Sequence, residues 1–180
     1  QNLTTGVEVY ENLGTKHSDR YQYTLPYYDF SKDLTSTIAD SDIGGSLNFF
    51  SNGNNKLSNT NNLRTTIVND LNYNSKDYIS NSGFKSNFDL YFKNLNVIGK
   101  KDKLYTSNTQ IDGMNTLKID SSYPLLKFEN RIKETLTPKI SFRINPINNM
   151  NNYSDSVRNI TANNVFDINR LGISNDFEAG

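Results

Sequence analysis

Along much of this chain, apolar and polar residues alternate with a period of two. From Phe84 to Lys93, Phe84, Phe88, Leu90 and Phe92 fall on even positions, while Lys85, Asn87, Asp89 and Lys93 fall on odd ones. Successive side chains of a strand point to opposite faces, so this pattern predicts a long two-faced strand rather than a helix. The pattern recurs from Leu63 to Tyr73, where Leu63, Thr65, Ile67, Leu71 and Tyr73 oppose Arg64, Thr66, Asp70 and Asn72. It recurs at Leu117, Ile119, Tyr123 and Leu125 against Lys118, Asp120 and Ser122, and from Leu136 to Ile144 as one run. Shorter strands are predicted at Val7 to Leu13, Tyr21 to Tyr27 and Leu47 to Phe50.

Turn-forming residues separate these runs: Gly44-Gly45, Ser51-Asn52-Gly53-Asn54-Asn55, Asn81-Ser82-Gly83 and Asp112-Gly113. The expected fold is therefore all-β, an antiparallel meander of long strands. Two longer connections are predicted, from about Val97 to Asn115 and from about Pro146 to Asn164. Pro124 and Pro138 fall within strand-like runs. Proline cannot donate to a ladder, so each should mark an edge, a strand end or a bulge. No capped stretch with 3.6-residue periodicity predicts a helix.

Length and charge narrow the classes. The chain has 180 residues, one domain by length, and Lys plus Arg equal Asp plus Glu at 19 each. Without a basic excess there is no electrostatic reason to expect nucleic acid. Hydrophobic residues are only 34%, yet 11 Tyr and 10 Phe argue against a disordered tail. No apolar run is long enough for a membrane-spanning helix. Gln1 rather than Met begins the sequence and no evident stop closes it at Gly180, so the expectation is an excerpt of a longer chain.

Strand length separates two all-β architectures. Sandwich strands usually run about 5–6 residues, whereas a tilted strand crossing an outer membrane needs about 9–11. Four of the runs reach the greater length. Their polar faces carry Arg64, Asp70, Lys85, Asp89, Lys118, Asp120, Lys139 and Arg143, which would line a water-filled lumen if the apolar faces met lipid. Tyr21, Tyr23, Tyr27 and Tyr28 would contribute to an interfacial aromatic girdle. Seven or eight strands close only a small barrel, so a segment of a larger outer-membrane β-barrel is expected.

Candidate chemistry is sparse. His17, the one histidine, lacks the companion ligands a zinc site needs. Asp40 and Asp42 lack the closing Glu of a calcium-binding loop and read as a solvated turn. The absence of cysteine removes disulfides and thiolate metal sites. No nucleophile motif, phosphate-binding loop or dinucleotide fingerprint appears, so no catalytic residue, metal or cofactor is expected. The acceptor-like triplets at Asn2, Asn152 and Asn159 carry no weight in so Asn-rich a chain.

The last third of the sequence resembles a known family. Tyr123-Pro124-Leu125, then Thr135-Leu136-Thr137-Pro138-Lys139, then a long polar stretch ending in Phe166-Asp167-Ile168-Asn169-Arg170, is similar in order and spacing to the barrel domain of the LPS-assembly LptD family, also called OstA or organic-solvent-tolerance proteins. The match spans roughly 123–180; the rest of 1–180 agrees only in kind. The chain departs from the family at Thr137, where many members carry Glu, and at Leu171-Gly172. The resemblance implies an internal part of a barrel in the outer membrane of a Gram-negative bacterium that delivers lipopolysaccharide to the outer leaflet. It implies a plug lipoprotein, LptE, and periplasmic Lpt bridge proteins as partners, with outer-membrane lipid around the wall. The residues carrying the resemblance, Tyr123, Pro124, Leu125, Leu136, Pro138, Phe166, Asn169 and Arg170, are expected to be structural. Two rivals stand beside this reading: a secreted or surface β-sandwich binding carbohydrate through Tyr21 to Tyr28, and a small closed barrel with hydrolase activity.

Overall fold

The computed structural model describes residues 1–14, 20–38, 44–58, 62–129, 132–146, 161–170 and 177. They form an antiparallel meander of ten strands: β1 (Asn2–Glu11), β2 (Tyr21–Asp33), β3 (Ser46–Ser58), β4 (Asn62–Asn74), β5 (Tyr78–Ile79), β6 (Lys85–Lys100), β7 (Gln110–Ser122), β8 (Leu125–Glu129), β9 (Ile132–Leu136) and β10 (Lys139–Ile144). The main sheet runs β1-β2-β3-β4-β6-β7-β10, with β5 extending β4's place beside β6; β8 and β9 form a separate hairpin. β1 and β10 are not paired to each other, so the sheet is open. A 3-10 turn, Thr35–Thr37, follows β2.

β6 and β7 are longer than the alternation predicts, and the cause is the same in both. β6 does not end at Lys93 but continues to Lys100, and the expected connection from Val97 to Asn115 shrinks to residues 101–109. Alternation persists through this extension with its phase inverted. Up to Phe92 the apolar residues lie on the face of Phe88 and Leu90; from Asn94 that face turns polar, while Leu95 and Val97 on the other face are buried. β7 does the same in reverse, with Met114 and Thr116 buried above Lys118 and Asp120.

Two predicted breakers lie inside strands. Gly113 pairs with Asn94 in mid-β7, and Gly53 pairs with Tyr28 and Ile67 in mid-β3. Gly53 is explained by close approach: a Cβ there would lie 2.1 Å from the Tyr28 ring. Gly44, Gly45 and Gly83 behave as predicted, each with positive φ between strands.

The run from Leu136 to Ile144 is not one strand, because it divides at Thr137-Pro138. Pro124 divides the facing run between β7 and β8. The register nevertheless carries across the break: Ser122 faces Lys139 and, three residues on, Leu125 faces Leu136. Tyr123 therefore stands opposite Pro138 and donates its N–H to the Pro138 carbonyl at 3.1 Å, while the return bond is lost for want of a proline N–H. One long hairpin is interrupted where its two prolines lie close across it.

Candidate functional site

Residues directly opposite one another in an antiparallel sheet share a face, so the register sorts the side chains. One face carries Arg64, Asp70, Lys85, Asp89, Lys93, Lys118, Asp120, Lys139 and Arg143, which includes every charge predicted to share it. Across β4 and β6, Asp70 faces Lys93 with 3.7 Å between carboxylate and ammonium, and both side chains are 1% exposed. Across β6 and β7, Lys118 lies 3.0 Å from Asp89 and 2.8 Å from Asp120. Asp120 in turn meets Lys139 of β10 at 3.0 Å and accepts a hydrogen bond from Ser141. Acid and base thus alternate across four strands, and each buried charge has an opposite charge beside it, as burial demands.

Towards the 101–109 end this face changes character. Val68, Tyr91, Leu95, Val97 and Met114 form a small apolar core with Tyr105 from that connection and Phe177 from the C-terminal region. Arg64 fastens the connection in place. It grips Asp102 through Nε at 2.9 Å and Nη2 at 3.1 Å and lies over the Tyr105 ring at 5.2 Å. Burial opposes ionisation of Asp102, but N–H groups of Leu104 and Tyr105 and the Arg64 guanidinium outweigh it and hold the carboxyl below the usual range.

The segment 161–170 lies against the ion-bearing face. Lys139 Nζ sits 4.6 Å over the Phe166 ring, and Arg143 Nε donates to the Ile168 carbonyl at 3.2 Å. Between this segment and the sheet is a polar cavity of about 400 Å³ reached by Asn72, Asp89, Lys118, Asp167 and Asn169. Asn169 and Arg170 are half-buried. Of the other residues carrying the resemblance, Tyr123 stacks on Phe84 at 4.7 Å between ring centres, Pro124 and Pro138 mark the break, and Leu125 and Leu136 are paired and exposed in the β8–β9 hairpin. The structure does not gather these eight residues into one site.

The opposite face is apolar and open. Leu71, Tyr73, Phe88, Leu90, Phe92, Leu117, Ile119, Ile140, Phe142 and Ile144 share it, with Phe92 44% and Phe142 60% exposed. A shallow apolar depression of about 480 Å³ crosses it from Leu71 to Ile144. Above this band runs a row the alternation did not reveal. Ser51 Oγ donates to Asn69 Oδ1 at 2.7 Å, the hydroxyls of Tyr28 and Ser51 share a bond of 3.1 Å, Asn69 Nδ2 donates to Asn94 Oδ1 at 3.2 Å, and Asn94 Nδ2 reaches the Asp112 carbonyl at 3.3 Å. The only sequence signal for it was the presence of Asn at strand positions, which turn chemistry does not explain.

The tyrosines from Tyr21 to Tyr28 do not make one platform. Tyr23 and Tyr28 lie on the apolar face, whereas Tyr27 turns to the other and covers Gly6. His17, Asp40, Asp42, Asn152 and Asn159 lie outside the described residues, among which no cluster of His, Asp or Glu could hold a metal. No helix among them is long and apolar enough to cross a membrane. In comparisons with known proteins, no family model, no curated protein and no solved structure matches this chain.

Proposed function

We propose that this chain is a section of the wall of an outer-membrane β-barrel of the LptD type, which passes lipopolysaccharide to the outer leaflet without catalysis. The observation that carries the reading is the inverted sheet: ion pairs are buried on one face, and a broad band of apolar side chains is exposed on the other. A protein folded in water does the reverse, since ions go to solvent and apolar surface supplies the core. Hydrocarbon outside and a polar lumen inside reconcile both faces. The long antiparallel strands, and a sheet whose outermost described strands β1 and β10 do not pair with each other, suit a segment of a larger barrel.

The extension from barrel wall to lipopolysaccharide carrier rests on the resemblance. In that reading the ion-bearing face forms part of a lumen that accommodates phosphorylated sugars, with acyl chains kept to the apolar side so that neither part enters the wrong solvent. The segment from Phe166 to Arg170 lies on the lumenal side, where a plug lipoprotein would also sit. Lipopolysaccharide, LptE and the periplasmic bridge are the partners this reading names.

Opposite-face substitutions in one strand test it. Phe88→Lys and Ile140→Lys place a charge on the apolar face and should cost about 2–4 kcal/mol near the midplane, visible as lost assembly into the outer membrane and less surface lipopolysaccharide. Asn87→Lys and Ser141→Lys, one residue away on the ion-bearing face, should assemble normally. Normal assembly and normal surface lipopolysaccharide in Phe88→Lys and Ile140→Lys would overturn the proposal.

A further inference from the structure

The sheet carries marks of where a bilayer would begin and end. On the apolar face, Ser51, Asn69, Asn94 and Gly113 stand side by side on β3, β4, β6 and β7, and the first three are linked by side-chain hydrogen bonds. Below this row the outward residues of the central strands are Phe49, Leu71, Phe92, Leu90 and Leu117, with the polar Asn115 of β7 beside Phe92. Above it they mix Asn96, Thr65 and Asn55 with Ile67 and Ile98. The opposite face changes at the same height. Asp70, Lys93, Asp89 and Lys118 lie below the row, with Met114 level with Lys93 and Tyr91 beneath it, whereas above the row the buried apolar side chains of the central strands are Val68, Leu95 and Val97, with Asp112 beside Leu95. A sheet with lipid behind it needs a polar interior, and a sheet with water behind it needs an apolar one, so the coincidence of the two changes locates a change of solvent.

At the other end of the band, Phe84 and Tyr123 stack beside the Pro124 and Pro138 break. Aromatic rings of this kind sit at membrane–water interfaces. Beyond the break the β8–β9 hairpin carries Lys127, Glu129, Lys133 and Glu134. From Phe84 to Asn94 is roughly ten residues, or about 33 Å at ~3.3 Å per residue, and a strand tilt of ~40° brings this to about 25 Å along the membrane normal, the height of an outer-membrane apolar band.

Resting on the barrel-wall reading, we propose that the bilayer hydrocarbon ends at the Ser51-Asn69-Asn94 row on one side and at the Phe84–Tyr123 pair on the other. The upper third of β6 and β7, with the 101–109 connection, then projects into water on one side, and the β8–β9 hairpin projects on the other. The occupant of the exposed apolar face is lipid acyl chain between these two levels and nowhere else.

Exposure alone predicts a different contact map, which makes the proposal testable. Ile111, above the row, is 70% exposed and Phe128, on the hairpin, 72%, whereas Leu90, inside the band, is only 45% exposed. The described residues contain no cysteine, so single-cysteine variants Leu90→Cys, Ile111→Cys and Phe128→Cys of the whole protein would each be labelled with an environment-sensitive fluorophore. The labelled proteins would be inserted into phosphatidylcholine vesicles carrying brominated acyl chains. Strong loss of emission at Leu90, with none at Ile111 or Phe128, is expected. Loss at all three would overturn the boundaries while leaving the wall reading intact. No loss at Leu90 in vesicle-bound protein would remove the wall reading and the boundaries together. Ile119→Cys inside the band and Ile98→Cys above it repeat the comparison at independent positions, so that a misfolded single variant does not decide the result.

Discussion

Lys93 and Asp70 face each other on neighbouring strands with almost no access to solvent. Removing one partner of such a pair strands the other charge in a medium of low polarity and costs about 3–5 kcal/mol, whereas replacing both by apolar residues is often nearly neutral. Lys93→Met is therefore expected to lower the unfolding free energy by that amount, and Lys93→Met with Asp70→Leu to recover most of it, measured by urea titration of detergent-folded protein. A loss under about 1 kcal/mol, the range of exposed pairs such as Lys85–Asp77, would mean that water reaches the site. Asp102 makes a pH prediction. Its carboxyl is held below the usual value, so its contribution to stability is complete above the unfolded pKa of about 3.9 and fades as pH falls through the lower folded value. Asp102→Asn should flatten the acid side of a stability-against-pH curve, and an unchanged acid limb would show that the Arg64 clasp contributes nothing.

At the scale of the strand, the sequence was most readable where one face meets one kind of environment throughout. From Phe84 to Lys93 the apolar and polar sets keep their sides, and both the strand and the charges of its inward face were legible. Beyond Asn94 the two sides exchange character, so a search for continued apolar positions on one face stops there although the backbone does not. Gly53 misled for a different reason. A glycine among asparagines signals a turn by local chemistry, but this one is set by a neighbour remote in sequence, the Tyr28 ring lying against it from β2. Its replacement tests that account. Gly53→Ala should cost about 1–3 kcal/mol, because the ring must move off its hydrogen bond with Ser51. Tyr28→Ala made in the same chain should reduce the penalty of the added methyl group, and a double-mutant cycle on urea midpoints would read the coupling. Strictly additive losses would mean that Gly53 answers to something other than this ring. The apolar and ion-bearing surfaces were thus largely predictable, whereas the polar row and Phe177 were not, because both depend on residues brought together from distant parts of the chain.

The molecule as a whole has one unresolved demand, which is its edges. Among the described residues β1 is laddered only to β2 and β10 only to β7, and in hydrocarbon every backbone N–H and C=O group needs a partner inside the protein. On the barrel-wall reading a further strand lies against each outer edge. The central strands β4 and β6 are paired on both sides and should hold their amide protons at the level of global unfolding, while edge amides open locally. In the 180-residue chain prepared alone in detergent, hydrogen exchange measured by NMR should accordingly be slow in β4 and β6 and fast along the outer edges of β1 and β10. In the protein with flanking strands present, the same edge amides should slow towards the central values. Slow edges in the isolated chain would mean that it closes on itself or on a second copy, and the barrel-segment reading would give way to a small self-contained assembly. Fast edges that remain fast in the longer protein would leave backbone groups unpaired in lipid, which is incompatible with a membrane wall at all.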